Sequence, residues 1–378
     1  MARRKVEAEP EAEAPAASEI EKTLADIRKT HGKACVGERV QIANHFSTGI
    51  FPLDFALGGG YAEGYVAMLV GAESSGKTTN AYRAIASWQR KCRETGCPSN
   101  RAVFVDVEGS YDSMHAERVG VDTSLLEKIV PPHGQAACDI YLAVVESKEV
   151  GIVVLDTVAA CAPEKVLINS LSDETRSELP RLMTTFAMCL TTALARERQR
   201  DHIVTPILIN QLRVMQGVMY GDNTGFPGGN YINKHLPTST VMFRKNKKTE
   251  AKDSLGFDVA DGYDHTFQIR KSKHFPELIR GGEYFVVASP DSATGVPIAG
   301  IDEAPTLRAF SQKFGFIEGR FKLPAIFGDE QFAKLSDIEI RLTDDATLRY
   351  KLSRLIIAAQ RKRLGMPELP PDGYLITK

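Results

Sequence analysis

No stretch of this chain approaches the roughly eighteen consecutive apolar residues that a helix needs to cross a bilayer, so a membrane-spanning protein is not expected. The opening residues, MARRKVEAEPEAEAPAAS, also lack the apolar segment of a secretory signal, and a cytoplasmic setting is the expectation. Neither sign of charge dominates: 47 Lys and Arg stand against 48 Asp and Glu, a formal net charge of −1. Global charge therefore gives no hint of nucleic acid, and any basic surface has to be local. Cysteine is scarce, six in 378 residues, which excludes a small secreted disulfide scaffold. Cys92 and Cys97 stand at a spacing that some zinc sites use, but no second Cys or His pair lies nearby, and free thiols are expected. No internal repeat is found.

What the chain does contain is an alternation of short apolar runs and helical patterns. Residues 1–18, rich in Ala, Glu and Pro, are too poor in large apolar side chains to fold and read as a disordered arm. EIEKTLADIRKTH, residues 19–31, carries Ile20, Leu24 and Ile27 near helical spacing behind a Ser18 cap, predicting a short amphipathic helix whose stripe docks on another subunit. From 45 to 300 the runs YVAMLV (65–70), AVFVDV (102–107), GIVVLDTV (151–158) and TPILINQL (205–212) are almost continuously apolar. That is the pattern of strands covered on both faces, as in the mostly parallel sheet of an α/β domain. STVMFR (239–244), HTFQIRKS (265–272) and GEYFVVAS (282–289) follow with short turn-rich links, predicting antiparallel pairing at one sheet edge. Residues 301–378 read as a small C-terminal helical region, with a helix over 347–365.

Between the first apolar run and the helical AYRAIASWQRKC, where Ala81, Ile85 and Trp88 share a face, lies GAESSGKTTN. The order strand, glycine-rich turn, helix fits the phosphate-binding pattern G-x-x-x-x-G-K-[ST] at Gly71, Gly76, Lys77 and Thr78. Glycines let backbone N–H groups converge on phosphate oxygens, and the helix N-terminus adds positive partial charge. Lys77 would reach the β- and γ-phosphates and the Thr78 hydroxyl would ligate Mg²⁺. The nucleotide-binding set is Gly71, Glu73, Ser74, Ser75, Gly76, Lys77, Thr78 and Thr79, joined by Asp112 and His115.

Hydrolysis needs further groups, and three other strand ends offer them. Asp156 ends GIVVLD, where a carboxylate orients Mg²⁺ or its waters, although a strand-end Asp also caps helices. VFVDVEGSYD presents Glu108 as the carboxylate that polarises the attacking water, with Asp106 as the second choice. ILINQLR brings out Asn210, Gln211 and Arg213; an amide such as Gln211 can bond a γ-phosphate and lose that bond on hydrolysis, coupling nucleotide state to the loop that follows. That loop, residues 214–233, is glycine-rich and long.

Taken together, STGIFPLDFALGGG (47–60), GAESSGKTT (71–79), VDVEGSYD (105–112), VVLDTVAA (153–160) and INQLRVMQGVMYG…GG (209–229) resemble the motifs of the RecA-family recombinases, bacterial or phage-type, in order, over roughly residues 20–300. The resemblance implies a RecA-like P-loop ATPase core behind a polymerisation segment (19–44). It also implies a homo-oligomeric helical filament on single-stranded DNA, ATP and Mg²⁺ at the subunit interface, and strand exchange with homologous duplex. Glu108 matches the family's catalytic glutamate and Gln211 its allosteric glutamine. Lys271 and Lys273 match the pair that reaches a neighbour's γ-phosphate, although as residues alone they are alternate exposed positions on an edge strand. Arg181 and Thr184 resemble contacts of a first DNA loop at about 164–181, and Arg213, Gly228, Gly229 and Asn230 those of the second. The chain departs from the family at Met188, where a DNA-binding arginine is usual, at Gln216 in place of an apolar wedge, and at His115 in place of an adenine-stacking tyrosine. Extra residues around KCRETGCPSNR (91–101) are expected to form a surface loop. Other readings of the same motifs are a RecA-like ATP-binding regulator on DNA without strand exchange, and a hexameric helicase.

Overall fold

Runs of Val, Ile and Leu bounded by glycine become strands buried on both faces in the computed structural model, which describes residues 18–31, 44–164, 177–214, 224–252, 258–276, 279–287, 301, 303–319 and 321–368. The chain divides into two units, Met1–Gln41 and Ile42–Lys378. In the first, helix α1 (Glu19–His31) opens with a reciprocal cap: the Glu21 N–H donates to Ser18 Oγ at 3.3 Å and the Ser18 N–H to Glu21 Oε2 at 2.7 Å. Ile20 and Ile27 on it are exposed. The expected arm lies, but for Ser18, outside the described residues.

The second unit opens with a small pair, β1 (His45–Phe46) and β2 (Tyr61–Ala62), flanking α2 (Phe51–Leu57). An α/β succession follows: β3 (Ala67–Gly71), α3 (Lys77–Thr95), β4 (Arg101–Asp106), α4 (Ser113–Val119), β5 (Leu126–Ile129), α5 (Gly134–Val145), β6 (Val150–Asp156), α6 (Glu178–Gln199) and β7 (Thr205–Gln211). A short ladder, β8 (Arg213–Val214) with β9 (Thr224–Gly225), precedes β10 (Ser239–Lys252), β11 (Asp258–Ser272) and β12 (Gly281–Val287). The main sheet has eight strands in the order β12-β11-β10-β3-β7-β6-β4-β5, parallel from β10 to β5 and antiparallel at β10/β11 and β11/β12. The parallel sheet with an antiparallel edge is the one the apolar runs led us to expect.

Side chains alternate across β3, so Leu69 joins the face covered by Ala81, Ile85 and Trp88 of α3, while Met68 and Val70 join the face covered by α5 and by Met183, Phe186 and Leu190 of α6. Segment 91–101 departs from expectation. Its first half continues α3 to Thr95, because Cys92 is buried and Lys91 pairs with Glu63, and Gly96 closes the helix with a left-handed φ of 70°. Cys92 and Cys97 are both free thiols.

Beyond residue 300 come α7 (Ala304–Lys313), α8 (Pro324–Phe327), α9 (Leu335–Asp344) and α10 (Ala346–Arg363). They share a core with α2, in which Phe51 and Phe55 meet Leu307, Ile338, Leu352 and Ile356. The buried Arg361 of α10 donates through Nη1 to the Gly58 carbonyl at 2.8 Å, locking the end of α2. No helix among the described residues is long and apolar enough to cross a membrane.

Asp54 on α2 is 6 % exposed, accepts the Thr48 N–H at 2.7 Å and the Ser47 hydroxyl at 2.5 Å, and is pushed up by burial to a pKa of about 6, against the lowering effect of those bonds. A carboxyl raised in the folded state holds a proton the unfolded chain has lost, so stability falls as pH rises from about 4 to about 6, by at most about 3 kcal/mol for this group. Asp54→Asn keeps an acceptor for Thr48 and removes the buried charge. Urea unfolding at pH 4.5 and 7.5 is expected to show a smaller loss of stability in the variant than in the parent; an equal loss would assign the pH dependence elsewhere.

Candidate active site

Four parallel strands end side by side. Gly71 of β3 pairs in register with Gln211 of β7, Leu155 of β6 with Leu208 of β7, and Asp106 of β4 with Asp156 of β6. The carboxyl ends of strands in an open α/β sheet form the crevice in which ligands bind. The phosphate loop, Asp156, the Asp106–Glu108 segment and Gln211 are thereby brought to one edge by the fold itself.

The loop from Gly71 to Gly76 is shaped for an anion. A Cβ on Gly71 would stand 2.4 Å from Ser75 Oγ and 2.5 Å from the Phe243 carbonyl, so only glycine fits where the loop folds back. Ser74 and Gly76 take left-handed φ values of 57° and 89°, turning the backbone into α3. The start of α3 has no side-chain cap, which leaves its first N–H groups for a phosphate. Ser75 Oγ is buried without a hydrogen-bond partner, and Ala72 and Glu73 are exposed on the rim. Lys77 is 7 % exposed and its ammonium donates to the Ala72 carbonyl at 2.6 Å. Burial lowers its pKa, while Asp156, Glu108 and Glu73 oppose that shift.

Thr78 donates through Oγ1 to Asp156 Oδ2 at 2.7 Å, and the Ser110 hydroxyl approaches the same oxygen at 3.4 Å. Asp156 is 1 % exposed; burial raises it to about 6, with Thr78 and Lys77 lowering it and Glu108 and Asp106 raising it. A carboxylate destabilised by burial beside a hydroxyl is a hard-oxygen pair that a small divalent cation would satisfy, so Thr78 and Asp156 fit Mg²⁺. Asp106, the second choice for base, has both oxygens committed. Oδ1 accepts the Ser110 N–H at 2.9 Å, and Oδ2 accepts the Tyr111 N–H at 3.2 Å and lies 3.3 Å from Lys128 Nζ. Glu108 is exposed, and its Oε1 accepts a bond from Gln211 Nε2 at 2.8 Å. Lys128, on the charged edge strand β5, is a member of this cluster that the apolar pattern gave no means of finding.

Beside the first turn of α3, the Asp112 carboxylate caps α4 by accepting the His115 N–H at 3.0 Å, and the Asp112 N–H donates to Tyr82 OH at 3.2 Å. His115 Nε2 lies 2.9 Å from Thr79 Oγ1, and the imidazole stands edge-on to Tyr82. Burial lowers its pKa, which favours the neutral ring.

Lys271 and Lys273 are not brought to this site. Lys271 pairs with Thr240, which pairs with Met68 near the start of β3, so it sits at the opposite end of the sheet, roughly 10 Å down the strands from the level of Gly71. Its ammonium donates to the Lys234 carbonyl, and its pKa is lowered by burial and by Lys273. The exposed Lys273 donates its N–H to the Thr238 carbonyl at 2.9 Å. Lys271 and Arg270 line a cavity of about 550 Å³ with Lys234, Asn230 and Gly229.

The residues assigned to DNA contact fall into two groups. Arg181 and Thr184 stand on α6 rather than in a loop, because the helix already starts at Glu178. Arg181 pairs with Glu178 at 3.7 Å and the Thr184 hydroxyl donates to the Pro180 carbonyl at 2.7 Å. Met188, on the same helix, is 55 % exposed. Arg213 is exposed at the root of the β8/β9 ladder, opposite Gly225. Gly228 and Gly229 pack against α6: a Cβ on Gly228 would stand 3.2 Å from Met183 Cγ, and one on Gly229 3.2 Å from Pro180 Cβ. Asn230 is exposed beside them. Most of the first expected loop (165–176) and the tip of the second (215–223, with Gln216) lie outside the described residues.

Comparison with known proteins gives this arrangement a family. A sequence model described as the RecA N-terminal domain matches residues 18–274. The chain is 33% identical over 230 residues to Protein RecA of Mesoplasma florum, covering 59% of this chain and 65% of that protein, so the match spans less than two thirds of that relative. It is 31% identical over 245 residues to Protein RecA of Mesomycoplasma hyopneumoniae, covering 64% and 69% of the two chains, and 32% identical over 242 residues to that of Halalkalibacterium halodurans, covering 63% and 66%. With the strand-end crevice and its phosphate loop inside the matched region, the chain belongs to the RecA family.

Proposed function

We propose that the chain is an ATP-dependent recombinase, which assembles as a helical filament on single-stranded DNA, hydrolyses ATP to ADP and phosphate, and exchanges strands with homologous duplex. The observation that carries the reading is the division of the chemistry: Lys77, Thr78, Asp156, Glu108 and Gln211 gather at the carboxyl ends of the parallel strands, while Lys271 and Lys273 lie toward the start of β3 and β10. A nucleotide held by one subunit meets those lysines only from the next subunit, and such head-to-tail contacts propagate into filaments. The exposed apolar residues of α1 suit the docking of one subunit on another.

In this mechanism Lys77 and the N–H groups at the start of α3 hold the phosphates. Thr78 and Asp156 would hold Mg²⁺, which when bound would offset phosphate charge. Glu108 accepts the proton of the water that attacks the γ-phosphorus. Lys271 and Lys273 of a neighbour stabilise the charge developing on the transferred group. Gln211 exchanges Glu108 for the γ-phosphate as an acceptor, so that the segment after β7 registers the nucleotide. Asp112 and His115 border the adenine.

The exposed Met188 on α6, where the family places a DNA-binding arginine, favours a second reading, a nucleotide-dependent DNA filament regulator that does not exchange strands. Two measurements test both readings. ATP turnover is expected to rise with single-stranded DNA, and electron microscopy with a nonhydrolysable ATP analogue to show helical filaments; neither happening would refute both. Joint molecules between a single strand and homologous duplex are expected for the recombinase, and their absence from filaments that hydrolyse ATP would select the regulator.

A further inference from the structure

Asn210 is buried at the end of β7, one residue before Gln211. Its Nδ2 donates to the Pro227 carbonyl and to Asn233 Oδ1, both at 2.9 Å, and its Oδ1 accepts the Gln211 N–H at 2.9 Å. Asn233 lies in the π-helical turn Tyr231–His235 and directs its own Nδ2 at the carbonyls of Phe226, Pro227 and Gly229, at 3.0, 2.8 and 2.8 Å. Two side-chain amides thus stitch the strand end that carries Gln211 to the segment by which the chain returns from the glycine-rich loop. The neighbouring residue is held from the other side, since the Lys234 carbonyl accepts from Lys271.

Position 233 needs one acceptor facing Asn210 and two N–H donors, one of them shared, facing three carbonyls. A primary amide supplies both from one planar group; a carboxylate of the same shape supplies no donor and turns negative charge toward carbonyl oxygens. Asn210 is buried, Asn233 is half-buried and both side-chain amides are hydrogen-bonded, the condition in which a polar network is rigid. A shift of Gln211 from Glu108 to a γ-phosphate would act on the peptide N–H that Asn210 holds, and Asn210 is tied to the loop's return through Asn233.

We propose that Asn233 is a positioning residue: with Asn210 it forms an amide latch that transmits nucleotide state from the end of β7 to the loop that grips DNA. The inference rests on the proposed nucleotide-linked DNA binding and names the part that carries it.

The test uses the full chain and a fluorescent single-stranded oligonucleotide, with affinity measured by anisotropy in a nonhydrolysable ATP analogue and in ADP. The parent protein is expected to bind DNA about tenfold or more tightly with the analogue, within the usual range of allosteric coupling. Asn233→Asp is expected to bring that ratio to within about twofold of unity while affinity for the analogue itself stays within about threefold, and Asn233→Gln, which keeps the amide, to regain much of the ratio. A parental ratio in Asn233→Asp overturns the latch. So does a joint loss of DNA coupling, nucleotide affinity and thermal stability in both variants, which marks a general structural role. Should Asn233→Asp fail to fold, hydrogen exchange on the parent decides: amides of 226–235 change protection when the analogue is added without DNA, and no change overturns the proposal. A parent with no nucleotide dependence at all refutes the underlying reading directly, and the latch with it.

Discussion

Replacing Glu108 by glutamine is expected to lower DNA-stimulated ATP turnover by about 10²–10⁴-fold while affinity for a nonhydrolysable analogue stays within about threefold. The glutamine retains an oxygen for the Gln211 amide, so the hydrogen bond that Glu108 accepts from it survives the change. What disappears is the capacity to take a proton. Asp106 cannot stand in, because its two oxygens are held by the Ser110 and Tyr111 N–H groups and by Lys128 at the base of the turn. The measurement is single-turnover hydrolysis alongside analogue binding. A variant with near-parental turnover would move the base elsewhere, and one that lost binding equally would show that Glu108 holds nucleotide rather than water.

The second large effect is expected from the double variant Lys271→Ala, Lys273→Ala. Cations supplied by a neighbouring subunit to a phosphoryl-transfer site contribute about 10³-fold or more to turnover, and a loss of that order is expected on assembled protein. Nucleotide binding by dilute, unassembled chains should change little, since both lysines sit at the far end of β3 from the phosphate loop. Turnover measured across a range of protein concentrations separates the two regimes. An equal effect in both would mean that the lysines act within their own subunit.

Much of this site was legible because its chemistry is written at strand ends. Gly71, Asp156 and Gln211 each close a run of buried apolar residues, and a parallel sheet brings such ends together. Gly76, Lys77 and Thr78 open a helix whose apolar stripe of Ala81, Ile85 and Trp88 was plain. Other features lay beyond the pattern. β10 runs on to Lys252 and β11 starts at Asp258, well past the expected 239–244 and 265–272; Arg244 to Lys248 are exposed, so no burial periodicity marks them as strand. Residues 178–181, which the family resemblance puts in a first DNA loop at about 164–181, form the first turn of α6 instead, where Leu179 and Leu182 are only partly buried. The Asn210–Asn233 pair joins residues 23 apart through bonds to carbonyls that any sequence would supply, and no spacing rule signals such contacts.

That Lys271 lies roughly 10 Å down the strands from its own phosphate loop follows only from the register of β10 and β11, and the proposed shared site depends on it. Mixing two inactive variants tests it most directly. Glu108→Gln chains keep the lysines, and chains with Lys271→Ala and Lys273→Ala keep Glu108. In an equal random mixture on single-stranded DNA, about one quarter of sites combine an intact Glu108 with intact lysines from the adjoining subunit of a head-to-tail assembly. ATP turnover is expected to return to about that fraction of the parental rate. A mixture as inactive as its two components would contradict a site built from two subunits.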